Sequence, residues 1–306
     1  MNKVLISVVG PTGIGKTRLG IVLANYFDTE IISADSRQFY KEMSIGTAVP
    51  SKNELATAHH HFIQHKSIHD HYSVGDFERD AIKKLNELFE EKDIVIMVGG
   101  SGLYVNAVTD GLNKFPEVDS SIREKLNYEL ATNGIEPLQS KLRKLDPDYF
   151  TEVDIQNPHR LIRALEICIG TEKPYSSFLK KPKSKRNFKV LTIGIDATRE
   201  KVYERINQRV DIMVKDGLLE EVRSLIDHKE LNALQTVGYK EIFQYLDGNW
   251  TQEFAISEIK KNTRRFAKRQ NTWFKKNRET IWVNHDYEKK ELLKMVEKAT
   301  LKLKNE

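Results

Sequence analysis

Apolar residues run almost unbroken through VLISVVG near the amino terminus, and after a glycine-rich turn they recur at helical spacing in KTRLGIVLANYF. A short, wholly apolar run reads as a strand buried on both faces, and the periodic stretch behind it as a helix, so the chain is predicted to begin strand, loop, helix. TEIISADS predicts a second short strand that ends in polar residues, and DIVIMVGG (Asp93–Gly100) a third that is apolar throughout. Such strands alternating with helices predict a parallel sheet. The pattern then changes. From about Asn113 to Asn187, SSIREKLNYELATNG, EPLQSKLRKLD and NPHRLIRALEICIG predict helices, with Asn133-Gly134 and Gly170 as stops. FKVLTIGIDAT (Phe188–Thr198) restores the strand pattern ahead of a mainly helical carboxyl-terminal part.

A length of 306 residues exceeds the usual single domain, which agrees with this division. The expected organisation is a first part of the core at 1–112, a helical insertion at 113–187, and a return to the core with carboxyl-terminal helices at 188–306. The amino-terminal apolar run of seven residues is too short to span a membrane and lacks a small-residue cleavage site, so no targeting segment and no membrane association are expected. The single cysteine, Cys168, falls in the periodic HRLIRALEICIG and reads as a packed thiol. With one cysteine there is no intrachain disulfide and no cysteine zinc site, which points to a reducing compartment, the cytoplasm.

The net charge of +5 hides an asymmetry. Lys260–Arg278 (KKNTRRFAKRQNTWFKKNR) holds nine Lys or Arg and no acid, while the rest of the chain holds 40 basic against 44 acidic residues. A second basic run, KKPKSKRNFK at Lys180–Lys189, reads as a linker. The longer stretch carries Trp273 and Phe274 and suits contact with a polyanion backbone.

GPTGIGKT, comprising Gly10, Pro11, Thr12, Gly13, Ile14, Gly15, Lys16 and Thr17, matches the P-loop pattern between a buried strand and a helix. Its glycines let successive N–H groups converge on phosphate oxygens at a helix amino terminus, Lys16 adds a point charge, and the Thr17 hydroxyl is the natural magnesium ligand. The pattern alone also suits a nucleotide such as ATP. A nucleoside triphosphatase usually carries an acid at the end of a second buried strand, yet DIVIMV ends in Gly99-Gly100. The available acid is Asp35 in ISADSRQFY, at the carboxyl end of the second strand, where α/β proteins bind ligands.

With GGSGLYVNAV, NPHRLIRALEI, ERINQRVDIM, TVGYKEIFQYLDG and RRFAKRQNTWFKK added in order, the chain resembles the tRNA dimethylallyltransferases (tRNA isopentenyltransferases), in their compact bacterial form. The resemblance implies an α/β fold with a P-loop NTPase-like parallel sheet flanked by helices, a helical insertion domain and a helical carboxyl-terminal part. It implies transfer of a dimethylallyl group from dimethylallyl diphosphate to the exocyclic amine of adenosine-37 in the anticodon stem-loop, giving N6-dimethylallyladenosine and diphosphate, with Mg2+ and as a monomer. Residues Gly10 to Thr17 and Arg209 then hold the donor. Asp35, Lys16 and Arg209 are catalytic, Asp35 as proton acceptor.

Contacts to tRNA fall on Asp35, Ser36, Arg37 and Gln38, on Ser101 and Arg123, and on His159, Arg160, Leu161, Ile162 and Arg163. They continue through Gln235, Thr236, Val237, Gly238, Tyr239 and Lys240, with Lys268 and Arg269 in the basic stretch. The family commonly has Thr at Ser101, Gln at His159 and Arg at Gln235 and Lys240. The competing reading of the amino-terminal third is a small-molecule P-loop kinase, which leaves the insertion and the basic stretch without a purpose. Six of nine histidines lie in AHHHFIQHKSIHDHY, between His59 and His71, and are not expected to form a metal site.

Overall fold

The computed structural model describes residues 2–179 and 185–305, so the amino-terminal half of the expected linker, at 180–184, lies outside the described residues. Strands β1 (Val4–Val9), β2 (Ile31–Ser33), β3 (His60–His61), β4 (Ile94–Val98), β5 (Lys189–Asp196) and β6 (Ile281–Asn284) form one parallel sheet in the order β3-β2-β4-β1-β5-β6. Buried along its whole length, β1 pairs with β4 and β5 on either side. Its alternate residues serve opposite faces: Val4, Ile6 and Val8 pack with Leu19, Leu23 and Ile206, while Leu5 and Val9 pack with Phe77, Leu85 and Phe89. A strand covered on both sides is apolar at nearly every position, here at all but the buried Ser7, which is why its sequence shows no alternation. Two strands escape the sequence pattern. β3 is two half-buried histidines, and β6 is four residues directly behind the basic stretch.

The helices are α1 (Lys16–Tyr26), α2 (Lys52–Thr57), α3 (Val74–Glu91), α4 (Gly102–Thr109), α5 (Ser120–Asn133), α6 (Glu136–Leu145), α7 (Pro147–Glu152), α8 (Pro158–Thr171), α9 (Ser176–Leu179), α10 (Arg199–Lys215), α11 (Leu218–Arg223), α12 (Tyr239–Leu246), α13 (Gln252–Phe274) and α14 (Lys289–Asn305). Backbone contacts divide the chain into one unit of Met1–Asp110 with Arg186–Glu306, and a second of Gly111–Lys185. In the second unit, Leu126, Leu138, Leu142, Leu161 and Leu165 form a core of their own. The Asn157 side chain accepts the Arg160 N–H at 3.2 Å and Pro158 occupies the first turn, which starts α8.

The structure corrects one predicted stop. Gly134, at φ +79°, does cap α5, but Gly170 lies inside α8. A Cβ there would sit 2.4 Å from a methyl carbon of Val118, so this glycine serves close packing, and the helix ends at Glu172 in the left-handed region. Cys168 is buried, accepts the Tyr175 N–H at 3.3 Å, and burial pushes its thiol pKa up, so it is a packed thiol. Among the described residues no helix is long and apolar enough to cross a membrane.

Candidate functional site

Gly15 stands at φ +107°, a conformation that costs a residue with a Cβ, and lets the chain turn straight from the loop into α1. The unpaired N–H groups of that first turn then face the loop interior. Lys16, the first residue of α1, folds back to donate to the Pro11 carbonyl at 2.8 Å. Burial pushes its ammonium pKa down to about 8; the Asp35 carboxylate works against this and the Arg209 guanidinium adds to it. Burial likewise lowers the pKa of Arg209, with Asp35 and Glu54 opposing. Lys16, Asp35 and Arg209 are thus close enough to feel one another, although they are spread over nearly 200 positions of the chain.

Asp35 follows β2 at its carboxyl edge, where one carboxylate oxygen accepts the Arg37 N–H at 3.1 Å and caps the turn. Gly99 and Gly100, at the end of β4, stand where a motor protein would carry an acid. Both are crowded: a Cβ at 99 would lie 2.5 Å from the Ala34 carbonyl oxygen, and one at 100 would lie 2.5 Å from Nε2 of Gln270. At 99 the obstacle is fixed backbone, so a side chain does not fit; at 100 a side chain would have to displace the Gln270 amide.

Two cavities open beside these residues. One, of about 500 Å³, is lined by polar groups, among them Lys16, Thr17, Gln38, Arg205, Gln208 and Arg209. The other, of about 440 Å³, is mostly apolar, with Leu103, Tyr104, Val210, Met213, Phe266 and Trp273 in its wall. Thr12, Asp35, Thr47, Gly100 and Arg209 line both.

Not every residue expected at the site offers its side chain there. Ile14 is buried in the core beside β1, leaving only its backbone to the loop. The Thr12 N–H is already donated to Gln270 Oε1 at 2.8 Å, so it is not free for a phosphate. Arg37 donates to the Asn232 and Ala233 carbonyls at 2.9 and 3.0 Å, and Gln38 to those of Thr47 and Ala48. Ser36 and Ser101 bond each other through their hydroxyls at 3.1 Å. Tyr239 is fully buried with its hydroxyl on Glu221, and Leu161 and Ile162 belong to the core of the second unit. The side chains of these three are spent in cores.

Thr236, Val237 and Gly238 line the apolar cavity, and Gln235 and Lys240 are exposed. In the second unit His159 and Arg160 are exposed, whereas Arg123 and Arg163 both bind the buried Glu166.

The basic stretch divides by partner. Lys260 pairs with Asp211, Lys261 with Glu258 and Lys275 with Asp196, and Arg264 bonds Asn207, while Lys268, Arg269 and Lys276 stay exposed. Phe274 is buried in the core, so of the stretch's three aromatic residues Phe266 and Trp273 line the cavity.

Two residues at the site have no place in the sequence reading. Arg205 donates to the Gly13 carbonyl at 2.8 Å; its signal was its position one helical turn before Arg209. Gln270 carried no signal. The six histidines do not converge. Burial holds the pKa of His65 down at about 4 as it packs on Phe39 and Phe62. His59, His61 and Glu30 bring ligand atoms within 4.8 Å of one another, and His61 already bonds Glu30 at 2.6 Å.

A family model described as IPP transferase matches residues 38–277. A tRNA dimethylallyltransferase of Christiangramia forsetii is 61% identical over 97% of this chain and 98% of that protein. Another from Bacteroides fragilis is 46% identical over 94% of this chain and 95% of that one. Among solved structures, the tRNA isopentenylpyrophosphate transferase of Bacillus halodurans superposes with a TM-score of 0.73 at 36% identity, covering 100% of this chain and 98% of its own. A eukaryotic dimethylallyltransferase acting on tRNA gives 0.78 at 27% identity, covering 92% and 74%.

Proposed function

Since the chain belongs to the tRNA dimethylallyltransferase family and is an enzyme that transfers a dimethylallyl group to tRNA, we propose that the polar cavity receives dimethylallyl diphosphate and the apolar one the target adenosine-37. The observation that carries this is the wall the two cavities share. A charged diphosphate and a flat base suit linings of opposite character, and Asp35 stands where they adjoin. A small-molecule kinase is not favoured by the relatives.

In this reading the exocyclic nitrogen of adenine attacks the first allylic carbon while the bond from that carbon to the diphosphate oxygen breaks. Asp35 takes the amine proton, and N6-dimethylallyladenosine and diphosphate leave. Charge grows on the departing diphosphate, where the α1 N–H groups, Lys16 and Arg209 can stabilise it. Arg205 holds the loop through Gly13. Thr17 lines the polar cavity together with Asp35, and this oxygen-donor chemistry suits Mg2+, which would neutralise leaving-group charge. The base must leave its stack to reach the cavity, a small cost in a single-stranded loop. A tRNA substrate supports a cytoplasmic location.

Incubation with labelled dimethylallyl diphosphate and unmodified tRNA tests the reaction. One label per tRNA on the adenine beside the anticodon, with release of diphosphate, is expected; label absent from RNA would sink the reading. The RNA face has its own test. Replacing Lys268, Arg269 and Lys276 together by alanine should raise the tRNA KM about tenfold or more and reduce the magnitude of the salt slope of binding by up to about 3, with donor binding unchanged. An unchanged salt slope would make this face a solvated one.

A further inference from the structure

Gln270 lies on the buried side of α13, beside the exposed Arg269 and two residues from Lys268. Its amide accepts the Thr12 N–H at 2.8 Å and donates to the Gly100 carbonyl at 2.9 Å, joining the P-loop to the loop after β4. Next to Gly100, the Ser101 hydroxyl accepts the Ser36 N–H at 3.0 Å, and Ser36 adjoins Asp35. One side chain on the basic helix therefore reaches the donor loop directly and the acceptor loop through two further bonds. A carboxylate of the same length could accept from Thr12 but could not donate to Gly100, and an aliphatic chain could do neither. The amide sits close against the Gly100 backbone, where a Cβ would lie 2.5 Å from its nitrogen.

We propose that Gln270 is a positioning residue that couples RNA docking on α13 to diphosphate binding in the P-loop. The proposal rests on the reading above, in which α13 meets the tRNA. RNA that settles α13 settles Gln270, and with it Thr12 and Gly100 in the wall that both cavities share. Coupling of this kind is reciprocal: diphosphate tightens RNA binding by the same factor that RNA tightens diphosphate binding.

Titration of the full-length protein with inorganic diphosphate, with and without an anticodon stem-loop RNA, measures that factor. In the wild type RNA should tighten diphosphate by about fivefold to a hundredfold. Gln270→Met preserves volume but neither accepts nor donates. It should bring the factor to about one and raise the KM for dimethylallyl diphosphate by roughly tenfold, while RNA affinity without diphosphate stays as in the wild type. Should that variant fail to fold, the wild-type protein still decides: the side-chain amide NMR signal of Gln270 should shift when RNA is added without diphosphate. RNA that binds yet leaves both diphosphate affinity and that signal unchanged overturns the coupling, as does a methionine variant that keeps the full factor. RNA binding indifferent to loss of Lys268, Arg269 and Lys276 instead removes the underlying RNA reading, and is seen in titrations that contain no diphosphate.

Discussion

Asp35→Asn should reduce the single-turnover rate of dimethylallyl transfer by about 100- to 10,000-fold, the range for loss of a general base, with donor binding and most tRNA affinity retained. The substitution is close to invisible to the fold. Asp35 uses one carboxylate oxygen to accept the Arg37 N–H, and the asparagine carbonyl can accept that same bond, so the turn after β2 survives. What disappears is the second oxygen as a proton acceptor. Adenine's exocyclic amine is a weak nucleophile because its lone pair is delocalised into the ring, and each advance toward bonding acidifies its N–H. If the allylic bond breaks almost completely before attack, proton removal comes late and the loss falls to the lower end of the range. Saturating donor and tRNA in a single turnover isolate the step. A rate within about threefold of the wild type would reduce Asp35 to the turn cap its hydrogen bond already makes it.

The second large effect is expected at Lys16. Lys16→Ala should lower kcat/KM for the donor by about 100- to 1,000-fold, since it removes a positive charge from where the leaving diphosphate gains negative charge. The empty protein should melt no lower than the wild type at pH 7. The reason is the sign of the pKa shift: burial lowers the folded-state pKa of Lys16 to about 8, below its ordinary value. Its charged form is therefore disfavoured in the folded protein; that penalty is fully present below about pH 8 and fades as pH rises through 8 toward the unfolded value. Binding reverses the preference. Diphosphate favours the ammonium, so its affinity should weaken with a slope approaching tenfold per pH unit above about pH 8, and binding at that pH should take up a proton. Lys16→Arg, which stays charged, should bind with no break near pH 8. Calorimetry in buffers of different ionisation enthalpy reads the proton uptake directly; equal heats across buffers at pH 8 would place the Lys16 ammonium away from the diphosphate.

Much of the architecture follows from local chemistry that the sequence displays openly. The almost unbroken apolar run of β1 and the wholly apolar one of β4 announce buried parallel strands, and GPTGIGKT between β1 and α1 announces a phosphate cradle, because strand, loop and helix start are contiguous and each has its own residue signal. The lone Asp35 at a strand end and the charge asymmetry of Lys260–Arg278 were equally legible. Sequence by itself determined the sheet's main strands, the cradle and the acid beside it. It could not separate the two faces of a basic helix: whether Lys260 meets Asp211 or Lys268 meets solvent depends on which neighbours α10 and α13 bring, and these are some fifty positions apart. Nor could it tell that Leu161, Ile162 and Tyr239 spend their side chains in cores, or that Gly170 packs against Val118 instead of ending a helix. The two-residue β3 needs β2 beside it to exist at all. Gln270 is the clearest case. A glutamine within a basic run looks like one more solvated residue, and only the tertiary fold places it between Thr12 and Gly100, 258 and 170 positions away, where each of its two polar atoms finds one partner. Periodicity and motifs record what each stretch of chain needs from its immediate neighbours, whereas the partners of a buried polar group are set by packing between distant segments.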